Sequence, residues 1–190
     1  MYPQQNGYTF VPEHITYNQW RQYCLTHGVN VDWKYGNQCW DVCALLWYQY
    51  GLRLQTGNGT AYGCWSLMAD QNARPPFVKI TRKQDIKRGD CVVFNKVGSY
   101  WTGHIAFADQ DYRGSNSLLC LGQNQGQGIG RGTPSNIKPM NLANFLGAFR
   151  NTKWVNAPEP LPKVIVREDS GFPWPIYARK FRSGQRTNMV

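Results

Sequence analysis

Long apolar runs are absent from this 190-residue chain. No stretch reaches the roughly 18 residues that a membrane-spanning helix needs, so the chain is not expected to act as a membrane protein. The first residues, MYPQQNGYTFVPEH, have neither the charged nor the apolar region of a secretory signal. Work outside a cell would therefore need another route out. CxxC pairs are absent, and no Cys/His spacing suits zinc. The six cysteines (Cys24, Cys39, Cys43, Cys64, Cys91 and Cys120) allow three disulfides, but a chain of this length with a good core does not need them. Acidic residues are scarce: 11 against 21 basic ones, a formal net charge of +10. That balance favours an anionic partner such as nucleic acid, an acidic wall polymer or an anionic protein face. Histidine is scarce too, with three in all, which narrows any search for a general base. What is plentiful is apolar and aromatic material, 42% and 14%, enough for one folded domain with an extension.

The pattern along the chain changes character near residue 77. Before it, TYNQWRQYCLTHG (16–28) reads as a short helix capped by Thr16 or Asn18 and ended by Gly28. His27 falls in its last turn, where a cation suits the helix dipole. VNVDWKYGNQ (29–38) is a loop. Residues 39–50 form a helix apolar nearly all round, hence a buried one. WSLMADQNA reads as a second short helix. After it, FVKITR, CVVFNK, HIAFADQ and SLLCLGQN read as strands separated by turns, and NLANFLGAFRNTKW (141–154) closes the domain. Helices first and a mainly antiparallel sheet after them make an α+β fold. Beyond Trp154, Pro158, Pro160 and Pro162 mark a linker or wrapping arm. The last residues, GFPWPIYARKFRSGQRTNMV, interleave aromatic and basic groups, as a docking arm or an anionic-polymer contact would. The expected division is 1–154 and 155–190.

The stretch GNQCWDVC (36–43) leaves Cys39 open as nucleophile, metal ligand, half of a disulfide or core residue. A thiol nucleophile needs a lowered pKa, a base, and a group that orients the base. A helix start lowers a thiol pKa, and its free N–H groups can also hold an oxyanion. Cys39 stands at such a start; Cys43, one turn in, reads as core. Among the histidines His104 opens the strand HIAFAD and is the candidate base, whereas His14 and His27 lie in loop and helix-end positions. Asn124, at the end of the next strand, is the candidate orienter, with Asp109 and Asp111 as weaker rivals. Gln38 either lines the oxyanion site or serves as a loop donor. Trp40, Trp65 and Trp101 either wall a substrate groove or pack in the core. The glycines of GQNQGQGIGRG (122–132) lack the Lys-Ser/Thr of a phosphate loop and read as a flexible rim to the site.

In order, YGNQCWD, KRGDCVVF, TGHIAFAD and LGQNQG resemble the CHAP domain, a cysteine- and histidine-dependent amidohydrolase/peptidase module related to NlpC/P60 hydrolases and papain-like in architecture. The resemblance spans about residues 17–154. It implies N-terminal helices packed on the sheet, with Cys39 as nucleophile, His104 as base and Asn124 as orienter. Gly122 stands where many members carry a glutamate. The resemblance also implies a calcium site in the loop before the nucleophile, here Asn30, Asp32 and Asp41. Read from the residues alone, Asp32 is equally a turn former and Asp41 an acid favoured by the helix dipole.

The resemblance further implies a phage peptidoglycan hydrolase, an endopeptidase or an N-acetylmuramoyl-L-alanine amidase, with wall peptidoglycan and anionic wall polymers as partners. Small size and the lack of a signal suit either a virion tail lysin, docked to tail proteins through 155–190, or an endolysin waiting in the host cytoplasm. The rival expectation is a tail structural or plug protein that keeps the fold without turnover, with Gly122 in its favour. No motif backs nucleic-acid binding.

Overall fold

The computed structural model describes residues 4–5, 8–9, 15–98, 101–126 and 135–154. His14 and the arm at 155–190 lie outside them. A small hairpin pairs β1 (Gln4–Gln5) with β2 (Tyr8–Thr9). Helix α1 (Tyr17–Thr26) starts at Thr16, which forms a capping box with Gln19. Helix α2 (Cys39–Gln49) follows the loop. The expected second short helix is instead two single turns, α3 (Gly63–Ser66) and α4 (Ala69–Asn72).

The remaining strands are β3 (Phe77–Ile80), β4 (Cys91–Phe94), β5 (His104–Ala108), β6 (Ser117–Gly122), β7 (Asn136–Asn141) and β8 (Phe145–Asn151). They form one sheet in the order β3-β8-β4-β5-β6-β7, with every ladder antiparallel. The α+β expectation holds. Strand β7 was not expected. NIKPMN is polar and contains Pro139, which a sheet accepts at an edge, and β7 is an edge strand.

Strand β5 is buried along its whole length because both faces of the sheet are covered. Ile105 and Phe107 join Trp20, Leu45 and Trp47 in the core on the helix side. Ala106 and Ala108 pack on the other face with Val92, Phe94 and Cys120. Trp47 stacks on Phe77 with ring centroids 3.8 Å apart. Burying one such aromatic side chain contributes about 4–6 kcal/mol at the usual area coefficient. Asp90 of the KRGDCVVF motif has a structural role. Its carboxylate takes two hydrogen bonds from Arg150 at 2.8 Å and one from the Lys87 backbone, binding β8 to the turn before β4. All six cysteines are free thiols, and all but Cys39 are buried.

Candidate active site

Cys39 is the first residue of α2 and is half-buried. Its thiol takes a backbone hydrogen bond from Ile105, the residue after His104. The helix start thus reaches the beginning of β5. Loss of surrounding water is the largest influence on the thiol and pushes its pKa up to about 11, while hydrogen bonding from the Ile105, Trp40 and Cys39 backbones acts in the opposite direction. The thiolate expected from a helix start alone is therefore corrected: burial outweighs the helix N–H groups. Cys43 is fully buried, as expected of core.

His104 is buried at the start of β5. Burial lowers its pKa to about 4, against the raising effect of its hydrogen bond to Gln125. Its Nε2 lies 3.2 Å from Gln125 Oε1. Gln125, rather than Asn124, is the residue whose side chain meets that ring nitrogen. Asn124 instead donates from Nδ2 to Gln38 Oε1 at 2.9 Å. It adopts a left-handed backbone (φ 54), which asparagine tolerates better than most residues.

Gln123 completes a run of three working amides. Fully buried, it accepts the Val29 N–H at 2.6 Å, and its Nε2 donates to the carbonyls of Val29 (2.8 Å) and Gln38 (2.9 Å). The end of β6 is thereby tied to both ends of the loop that delivers the nucleophile. Sequence reasoning missed Gln123 and Gln125. Two glutamines flanking Asn124 were the available signal.

Gln38 donates from Nε2 to the Tyr35 carbonyl at 2.6 Å. With Oε1 held by Asn124, this is the loop-donor arrangement. Trp65 packs over Gly147 and against Phe149, half-buried against the core. Trp40 is partly buried against the core, whereas Trp101 is exposed. Trp33 and Tyr35, which sequence reasoning passed over, are the more exposed aromatics in the loop before Cys39, at 82% and 77%. Both have positive φ, 59° and 57°. Asp109 is engaged by Arg21 and the Tyr17 hydroxyl, and Asp111 by Lys87 and the Arg88 backbone.

Asp41 closes the loop: Oδ1 accepts the Val31 N–H at 2.9 Å and Oδ2 the Gln38 N–H at 2.8 Å. Asp32 Oδ1 accepts the Lys34 N–H. Burial, with the charge of Asp32 adding to it, pushes the Asp41 carboxyl up to about 6. Asn30 Oδ1 is buried with no hydrogen-bond partner. Among the described residues no three His, Cys, Asp or Glu side chains gather as a metal cage. An orphaned amide oxygen and two carboxylates nevertheless fit the oxygen-only donor chemistry of calcium.

No family model and no curated protein sequence matches the chain. Among solved structures, the chain is similar to the wild-type endolysin LysIME-EF1. Identity is 25% and the TM-score 0.58, over 72% of this chain and 64% of that one. This chain therefore spans less than two thirds of that endolysin's length. A more distant likeness is to Ly7917, solved with the hydrolysing product of MDP, at 14% identity and TM-score 0.47, over 75% and 63%. The α+β sheet architecture is thus one shared with a solved endolysin.

Proposed function

We propose that this protein is a peptidoglycan hydrolase that cleaves an amide of the bacterial cell wall through Cys39 and His104. The observation that carries the reading is the junction of α2 with β5: a thiol at a helix start, hydrogen-bonded to the backbone beside a buried histidine. The likeness to an endolysin supports the substrate class.

In the proposed reaction His104 Nδ1 takes the Cys39 proton as Sγ attacks the amide carbon. The resulting oxyanion faces N–H groups at the start of α2. His104 returns the proton to the leaving nitrogen, the C–N bond breaks, and a thioester remains. Water, deprotonated by the same imidazole, releases the acid and restores the thiol. Asn124 acts one step away, by holding Gln38 beside the nucleophile. Trp40 and Trp101 flank the groove in this reading. Asn30, Asp32 and Asp41 would hold a calcium ion, which would order the loop and supply no bond-breaking chemistry. The positive net charge suits anionic wall polymers. Within this reading we favour a virion tail lysin over a lysis endolysin. The arm that would dock to tail proteins lies at 155–190.

The test is hydrolysis of purified Gram-positive walls by wild type and Cys39→Ala, both checked for folding. Clearing by wild type alone is expected; equal clearing by both would remove Cys39 as nucleophile. Both cuts free an amino terminus: one on L-alanine, with peptide-free glycan released, would mark an amidase, and one elsewhere, with peptide still attached to the glycan, an endopeptidase.

A further inference from the structure

The imidazole of His104 meets an amide, and which end of that amide faces the ring follows from its other end. Gln125 Nε2 lies 3.1 Å from the Cys120 carbonyl, 3.1 Å from the Asn136 carbonyl and 2.9 Å from Asn136 Oδ1. Backbone carbonyls only accept, so the amino group of Gln125 must point at them. Oε1 is then the atom that faces His104, 3.2 Å from Nε2. An amide oxygen also only accepts. The ring proton therefore sits on Nε2, and Nδ1 carries the lone pair that can take a proton.

Gln125 reaches this position because residue 122 has no side chain. A Cβ on Gly122 would lie 3.1 Å from both Cδ and Oε1 of Gln125 and 3.0 Å from Ala106 Cβ. The carboxamide occupies the space that a larger residue at 122 would fill. The left-handed backbone at Asn124 takes the chain out of the strand between the two positions.

We propose that Gln125 is the positioning residue of the Cys39–His104 pair, locking the imidazole in its Nε2–H tautomer from a seat that Gly122 leaves open. The inference rests on the catalytic reading above and deepens it. A neutral orienter fixes tautomer and ring plane as a carboxylate would, but adds no charge that favours the imidazolium.

Long-range 15N–1H correlation spectra of the histidine rings read the tautomer without any substrate, with His104→Ala assigning the resonance. Wild type should give His104 as a single Nε2–H tautomer. Gln125→Met, similar in size but unable to accept the ring proton, should give mixed tautomers. It should lower kcat on walls about 10²-fold with KM changed less than threefold. A wild-type ring that is Nδ1–H or mixed would overturn the proposal even if the variant failed to fold. So would a folded Gln125→Met with the wild-type spectrum and kcat. Equal wall clearing by wild type and Cys39→Ala, with the Nε2–H signature intact, would remove the catalytic reading and leave the tautomer lock standing.

Discussion

Alkylation of Cys39 by iodoacetamide should quicken about tenfold for each pH unit between 6 and 9. Thiol and imidazole are both pushed towards their neutral forms, to about 11 and about 4. Moving the proton from sulfur to ring then costs about 10 kcal/mol at 1.36 kcal/mol per unit. Attraction between the resulting charges recovers about 4 kcal/mol, taking ~4 Å and an effective dielectric of ~20. The neutral pair wins, and no standing thiolate–imidazolium pair forms. At pH 7 the thiolate fraction is about 10⁻⁴, some 300-fold below an ordinary cysteine. A more basic thiolate is about tenfold more nucleophilic, so Cys39 should react roughly 30-fold more slowly than glutathione at pH 7. Mass spectrometry of the Cys39 peptide gives the rate cleanly, since the other five cysteines are buried in the folded protein. A rate flat from pH 5 to 9, or faster than glutathione at pH 7, would refute the reasoning and restore the ion pair.

Gln123→Leu should cost about 3 kcal/mol in urea unfolding, because the Val29 N–H, the buried Val29 carbonyl and the part-buried Gln38 carbonyl lose their partner together. Gly103→Ala should cost at least about 2 kcal/mol: φ is 73°, and the new Cβ would sit 2.7 Å from the Phe94 carbonyl oxygen and 2.6 Å from Tyr62 Cβ. Because the Asp41 carboxyl is raised to about 6, it contributes stability at pH 4 that is lost as pH rises through 6. Calcium, which needs the carboxylates ionised, should therefore raise Tm more at pH 8 than at pH 5, and Asp41→Asn should remove most of that difference. Equal calcium effects at both pH values in calorimetry would remove Asp41 from the site.

Helix α2 was legible because a run apolar on every side has to be buried. The central strands were legible because CVVF and HIAFA are short apolar runs bounded by turns. The places of Cys39 and His104 were legible too, one at a helix start and one at a strand start. The division of labour in Gln123-Asn124-Gln125 was not legible. Residues at the end of a strand alternate faces only while the strand continues, and at Asn124 the backbone turns left-handed. Strand periodicity therefore assigns Asn124 to the imidazole, whereas the turn brings Gln125 back to it. The thiol pKa was misread for a different reason. A helix start is visible in a sequence, but the desolvation that opposes it is set by how α2 seats on β5, a contact between distant parts of the chain.

Gly122 is the feature that most favours a fold kept without turnover, and its surroundings change what it signifies. Taken alone, a glycine in place of an acid means a base with nothing to hold it. In the folded chain the vacated space holds the Gln125 carboxamide, satisfied by carbonyls at one end and by the imidazole at the other. Burying an amide is costly unless both ends find partners. A site released from catalysis could fill that volume more cheaply with an apolar side chain. Retaining the buried amide means retaining a defined ring orientation, and a general base needs that orientation more than a structural strand does. The two readings separate in one variant. Either way Tm falls, because the Cys120 and Asn136 carbonyls and the His104 N–H lose their partner; if turnover is the purpose, the Gln125→Met protein that remains folded also loses most wall clearing, whereas if the network only holds the fold, wild type has no clearing to lose.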